Sequence, residues 1–401
     1  MAQKRRLTMV TGGVFVALLA AGCTGSGGNT DQADAAKPPS QPAAKAIGDG
    51  EGAISILARA GYVEDGTNDP SVDWVGPFEE QTGCEATIRV ANSSGEMFEK
   101  MGDGEFDVVS ASGDSSLRMI YAGKVAPVNT DLLPNYADIA PFQKDQQWNS
   151  VDGVPYGIPH GWGGQLLGYR TDKVTSPPDS WSVAYDPASP YAGSVTAYDS
   201  AVDGIGAAAV YLKATQPDLK ITNPYALDQA QFDAAVALAT AQKPLLSTYW
   251  AASEDAQKAL EDGSTVVGST WQIIVNRAAL NGAKVSTVLP KEGATGWADT
   301  WMIDAESPHP NCAYEWMNYI ASASVQAQVI EWFGQAPANL KACGETTDAT
   351  HCDTFHANDV GYFKKISFWS TPLGDCIDGR TDVTCVPYSE WTKAWSSLRT
   401  S

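Results

Sequence analysis

Apolar residues recur along this chain in two alternating rhythms. Residues 53–58, Ala-Ile-Ser-Ile-Leu-Ala, have the length and apolar density of a buried strand. Residues 72–83 follow with helical spacing and end in glycine, the residue that most readily closes a helix in the left-handed conformation. A second strand is predicted over 86–90, a helix over 95–101 and a third strand over 106–110. The rhythm resumes in mid-chain, with a strand over 194–198, helices near 203–214 and 229–242, and a strand over 264–268. Strand and helix alternating at this spacing predict an α/β protein whose sheets are mainly parallel and flanked by helices. No internal repeat is evident, and beyond about residue 345 the chain turns irregular, rich in cysteine and aromatic residues.

The first residues depart from this rhythm. Lys4, Arg5 and Arg6 precede a short apolar run over residues 10–20. Spanning a bilayer takes about 20 apolar residues, so the run reads as a cleaved signal peptide over 1–22. The string Leu19-Ala20-Ala21-Gly22-Cys23 resembles the bacterial lipobox, which implies a lipid on Cys23 and anchorage at the outer face of the cell membrane or in the periplasm. Residues 23–50 are mostly Gly, Ala, Pro and small polar types, which bury too little apolar surface to fold, and they read as a flexible tether.

Composition narrows the function. About 380 residues remain after cleavage, too many for one compact core, so two lobes are expected. The segment removed carries three basic and no acidic residues, so the formal charge of −21 becomes −24. Phosphate backbones are held by Lys and Arg clusters, and a chain this acidic repels them, which excludes nucleic acid as a partner. Six cysteines besides Cys23 remain in a secreted chain: Cys84, Cys312, Cys343, Cys352, Cys376 and Cys385. They permit 15 pairings. Cys343 with Cys352 and Cys376 with Cys385 would close short loops and leave Cys84 with Cys312; a zinc site is the rival, and no Cys-x-x-Cys supports it. Neither a metal nor a cofactor is expected.

Three ordered strings carry a resemblance. They are Gly153-Val154-Pro155-Tyr156-Gly157-Ile158-Pro159-His160-Gly161-Trp162-Gly163-Gly164, then Trp181 with Tyr191-Ala192-Gly193-Ser194, then Pro290-Lys291-Glu292-Gly293-Ala294-Thr295-Gly296-Trp297-Ala298-Asp299. Together with residues 78–83 and 106–109 they resemble the spermidine/putrescine-binding proteins of bacterial ABC importers, over roughly residues 53–342. The resemblance implies a two-lobed periplasmic-binding-protein fold of type II, with a hinge between lobes and a chain that crosses twice between them. Lobe I is expected over 51–160 plus 300–345, lobe II over 161–299, and a disulfide-rich segment wrapping the body over 346–401. Its partners would be a small cationic solute, a membrane permease and the permease's cytoplasmic ATPase, with the binding protein itself a monomer.

The resemblance also implies where a solute sits. Asp299 matches a carboxylate that grips an amine, and Trp297 and Trp271 match aromatic walls. A cation over an indole gains about 0.5–2 kcal/mol, and a desolvated ammonium needs a charged partner. Asp203, one turn into a helix that Asp199 is expected to cap, matches a second acidic contact; Ser112 lines the site and Gln335 stands where an aromatic residue is usual. The chain departs from the pattern near Gly61, where it offers Tyr62 without a neighbouring tryptophan, and at Asp114, where an aromatic residue is usual. Trp162 and His160 are candidates to restore a wall, with His160 otherwise structural. Alternatives are the same fold holding an aminophosphonate, ferric iron, thiamine, an opine or an amino acid derivative, a structural lipoprotein, or a secreted hydrolase. The hydrolase finds no Gly-x-Ser-x-Gly or His-Glu-x-x-His, so no enzyme activity is expected.

Overall fold

The computed structural model describes residues 37–91 and 93–400. The expected signal peptide and Cys23 lie outside the described residues. Among those described, no helix is long and apolar enough to cross a membrane.

Among the described residues, fourteen strands form in chain order. The first three are β1 (Ala53–Ala58), β2 (Glu85–Val90) and β3 (Val108–Ser112), followed by a small hairpin of β4 (Ser150–Val151) and β5 (Val154–Pro155). Then come β6 (Ile158–Gly164), β7 (Leu166–Arg170), β8 (Val195–Tyr198), β9 (Leu246–Trp250), β10 (Val267–Thr270) and β11 (Val285–Val288). The last are β12 (Ala294–Ile303), β13 (Ala336–Pro337) and β14 (Ile366–Phe368). One sheet runs β13-β6-β12-β3-β1-β2 with β14 paired to β12; the other runs β11-β7-β10-β8-β9.

The strands predicted from apolar runs pair in parallel, β1 with β2 and β3, and β8 with β10; the unpredicted β9 is also parallel to β8. The long strand β12 is antiparallel to both β3 and β6, and β7 is antiparallel to β10 and β11, so both sheets are mixed. The helix Val75–Thr82 closes on Gly83 in the left-handed conformation, where only glycine lacks a Cβ penalty. Three predicted strands, β3, β8 and β10, start later than expected. At β3 the reason is Asp107, whose side chain is committed to the backbone N–H of Ser55 at 2.7 Å and to the Ser307 hydroxyl at 2.6 Å.

Sheet membership shows where the chain changes lobes. It leaves the first sheet at Gln165, between β6 and β7, and returns between β11 and β12. A third crossing comes late: β14 joins the first sheet, and the helix Tyr388–Thr400 then packs on the helices Ala201–Thr215 and Gln229–Gln242 of the second. The resemblance implied two crossings, and residues beyond 346 add this one. Among the described residues three disulfides form: Cys84–Cys312, Cys343–Cys352 and Cys376–Cys385.

Residues 41–48 of the expected tether lie against the body. The Gln41 side chain donates to the Gly123 carbonyl at 3.3 Å, Asn129 donates to the Ala44 carbonyl at 3.0 Å, and the Gly48 N–H donates to Asn311 at 2.7 Å. Ala44 and Ile47 pack against the core beneath the first sheet. Two apolar side chains and three hydrogen bonds are enough to lay this stretch on the body, despite its small polar neighbours.

Candidate functional site

The site is built around β12. All ten of its residues are buried, so it is a central strand with both faces covered. Its register places Asp299 opposite Ser112 on β3 and opposite Gly161 on β6, with a bulge between Asp299 and Thr300 that leaves His160 as the extra residue. Bulges re-aim side chains beside functional sites. Trp297 lies two residues before Asp299 and so shares its face. The glycines of β6 make room: a Cβ at Gly163 would come within 2.7 Å of the Trp297 ring, and one at Gly161 would overlap the Gln335 amide.

Asp299 is only 1 % exposed, and its oxygens are already engaged. The Tyr62 hydroxyl donates to Oδ2 at 2.6 Å, the Ser112 hydroxyl donates to Oδ1, and Arg59 Nε stands 3.7 Å from Oδ2. Tyr62 also lies 2.8 Å from the Gln335 amide. A phenol has one proton; with that proton on Asp299, Gln335 is best turned to donate, which also uses its otherwise unpaired Nε2. Burial, reinforced by the Asp299 charge, holds the Tyr62 hydroxyl well above its ordinary pKa, so it remains a donor.

Arg59 follows β1 directly. Its Nη2 donates to Ser94 at 2.9 Å and Ser112 at 3.1 Å, and Ser94 in turn donates to Asp114 at 3.0 Å. Burial works against the guanidinium charge, but Asp299 and Asp114 outweigh it and hold its pKa above the usual value. The Asp114 carboxyl is pushed up by burial, partly offset by Arg59.

A cavity of about 390 Å³ opens over this network, within the size range of small-solute sites. Arg59, Ser112 and Asp299 lie on its first-sheet side. Five rings run round it: Trp369 stacks on Tyr198 at 5.7 Å and 6°, Tyr198 meets Trp271 at 5.5 Å, Trp271 meets Trp297 at 6.4 Å, and Trp297 meets Phe333 at 5.7 Å. Tyr198 ends β8 and Trp271 follows β10, so the second sheet contributes through the carboxyl ends of its strands, where open α/β sheets place ligands. Glu254, exposed at the start of the helix Ser253–Asp262, closes the rim. A further hollow of about 390 Å³ shares Trp271, Trp297, Phe333 and Glu254 and adds Glu64 and Arg277; another of about 520 Å³ shares Arg59 and Tyr198 and adds Asp114 and Asp199.

The family profile of bacterial extracellular solute-binding proteins matches residues 73–351. The chain belongs to that family. Among curated relatives, the putrescine/cadaverine-binding protein of Pseudomonas aeruginosa is 28 % identical over 280 residues, covering 66 % of this chain and 75 % of that one. The putrescine-binding periplasmic protein of Escherichia coli is 25 % identical over 305 residues, covering 67 % and 75 %. Among solved structures, a spermidine/putrescine ABC transporter protein of Listeria monocytogenes superposes with a TM-score of 0.69 at 18 % identity, over 87 % of this chain and 99 % of that one. The two-lobed architecture is therefore that of the periplasmic binding proteins.

In this solute-binding protein the expected site residues separate into three sets. Ser112, Trp271, Trp297 and Asp299 line the main cavity, and Asp114 lines the adjoining hollow. Tyr62 and Gln335 are fully buried behind Asp299 and support it without reaching the cavity. Asp203 and Trp162 lie elsewhere. Asp203 is 2 % exposed, accepts from Thr295 at 2.6 Å, Trp369 at 3.1 Å and Gln165 at 3.4 Å, and is pushed by burial to a pKa of about 6. It ties the helix Ala201–Thr215 to the first sheet and to the C-terminal segment, so it is not a cleft contact. Trp162 is 1 % exposed among Phe363 and Phe368 and borders only a void of about 20 Å³. His160 is buried with its pKa lowered by burial to about 3, a neutral packing residue. Ser200, not Asp199, caps the helix; Asp199 accepts from Trp395 at 2.9 Å and pairs with Arg399 at 3.2 Å. Among the described residues, no group of three or more His, Cys, Asp or Glu is disposed to hold a metal ion.

Arg59, Tyr198, Glu254, Phe333 and Trp369 were not anticipated as lining residues. Arg59 had a signal: it is a basic residue placed directly after an apolar strand, in a chain with only 26 Lys and Arg against 47 Asp and Glu.

Proposed function

We propose that this protein captures an organic ammonium solute of the polyamine type in the cleft between its sheets and delivers it to an ABC permease driven by a cytoplasmic ATPase. The observation that carries the reading is the run of five rings around a cavity of about 390 Å³ with Glu254 at its rim and Asp114 alongside. Ring faces attract a cation and accommodate methylene spacers, while the carboxylates offset its lost hydration. The names of the curated relatives point to the same class of solute. In this reading the protein acts as a monomer without turnover, held at the outer face of the cell membrane by a lipid on Cys23; mass spectrometry of the N-terminal peptide from a bacterial host tests the lipid.

The solute class is tested by thermal shift of the protein against putrescine, cadaverine, spermidine and other primary amines. A ligand at 100 times its dissociation constant adds about 2.7 kcal/mol to folded-state stability. An amine that raises the midpoint in the parent protein and fails to do so in Trp271→Ala supports the reading. Indifference to every primary amine, whatever else the compound carries, refutes it.

A further inference from the structure

We infer that the cleft takes a zwitterion, a linear amino acid with a carboxylate at one end and an ammonium at the other, whose carboxylate is received by Arg59. This rests on the ammonium part of the proposed function, whose aromatic walls hold that end, and puts a carboxylate in place of a polyamine's second ammonium.

The argument starts from what Asp299 has left to give. A carboxylate meant to grip an ammonium should face the cavity with a free oxygen. Asp299 is 1 % exposed, takes the hydroxyl protons of Tyr62 and Ser112, and stands against a guanidinium. Its role is to position Arg59. The Arg59 side chain, by contrast, is 26 % exposed and lines both the main cavity and the adjoining hollow.

Arg59 also has unused capacity. A guanidinium carries five N–H donors. Nη2 is engaged by Ser94 and Ser112, and Nε is buried with no hydrogen-bond partner. Nη1 has no partner among the described residues, and it remains as the donor pair for a solute. Ser94 and Ser112 hold Nη2, and Asp299, 3.7 Å from Nε, holds the other edge with its own oxygens already committed to Tyr62 and Ser112. A diamine laid along this cavity would bring one ammonium against a fixed guanidinium, a like-charge contact in a poorly solvated site. A carboxylate there gains charge-assisted hydrogen bonds instead. At the other side Trp271, Trp297 and Phe333 line both the main cavity and its neighbour, with Glu254 common to the two, and this is the place for the ammonium.

The test uses probes that differ only in the charged ends. Calorimetric titration of the full chain compares 1,4-diaminobutane with 4-aminobutanoate, with 3-aminopropanoate and 5-aminopentanoate to scan length. The methyl ester of 4-aminobutanoate keeps the ammonium and deletes the anion. Tighter binding of one of the amino acids than of the diamine is expected, with a loss of about 30-fold or more on esterification. Arg59→Gln is expected to invert the order, weakening the amino acid and strengthening the diamine; the ester comparison reads the same interaction without altering the protein. Equal binding of ester and acid, or binding of the diamine alone, overturns the inference while leaving the ammonium reading intact. Failure of all these amines overturns both.

Discussion

The carboxyl of Asp203 allows a quantitative test of how this fold stores electrostatic free energy. It is 2 % exposed, and burial pushes its pKa from 3.8 to about 6 despite three donors around it. The folded protein therefore holds this proton more tightly than the unfolded chain does. Below about pH 3 both states are protonated and the group is neutral to stability; as pH rises from there toward 6 the unfolded chain ionises first and folding loses ground. One proton taken up preferentially by the native state corresponds to a slope of about −1.4 kcal/mol per pH unit, so a shift of this size removes about 2.4 kcal/mol between pH 4 and pH 7. At roughly 2.1 cal/mol/K per residue, that is about 3 °C in the unfolding midpoint. Asp203→Asn cannot ionise. The experiment is thermal unfolding of both proteins by circular dichroism at half-unit steps from pH 4 to pH 8. Carboxyls such as Asp114 titrate in both proteins and cancel in the difference. The variant is expected to gain about 2.4 kcal/mol on the parent across that interval; a difference flat in pH would show that Asp203 is no better protonated in the fold than in the unfolded chain.

Three further outcomes are expected. Tyr62→Phe removes the hydroxyl that Asp299 accepts and should cost about 1–3 kcal/mol in chemical denaturation, because a buried carboxylate loses a donor; no loss would mean that water replaces it. Replacing Cys84 and Cys312 together by Ala opens a separation of 228 residues against 9 for Cys376 with Cys385, so loop-closure entropy gives about 5 kcal/mol against about 2.5, and calorimetry showing equal losses would contradict that account. Gly161→Ala forces a methyl group onto the Gln335 amide and should destabilise by about 1–3 kcal/mol, whereas Gly344→Ala meets nothing within 4 Å and should stay within about 0.5 kcal/mol; the two are compared by urea titration.

Much of the first lobe could be read in advance, because its strands β1 and β2 are short apolar runs bounded by a glycine cap and turn residues. The strands that carry the site could not. In β6 the string Ile-Pro-His-Gly-Trp-Gly-Gly contains the residues least typical of strands, and its glycines exist to admit Trp297 and Gln335 from neighbouring elements. In β12 both faces are covered, so the alternation that marks a half-buried strand is missing. Within the site, Asp299, Trp297, Trp271 and Ser112 were legible from a resemblance, but the matching of residue types says nothing about what already occupies a carboxylate. Arg59 changes the meaning of Asp299, and only the three-dimensional neighbourhood shows it. Asp203 illustrates the opposite error: its place one turn into a helix suits the cleft, yet Trp369 and Thr295 close over it.

Trp369 joins the aromatic wall directly after β14, the last strand in chain order among the described residues. A nascent polypeptide halted anywhere before that point would own the guanidinium and the indoles of β10 and β12 yet lack the ring that completes the stack on Tyr198. A chain shortened to end before residue 369 would thus keep the other four rings and leave the wall open beside Tyr198.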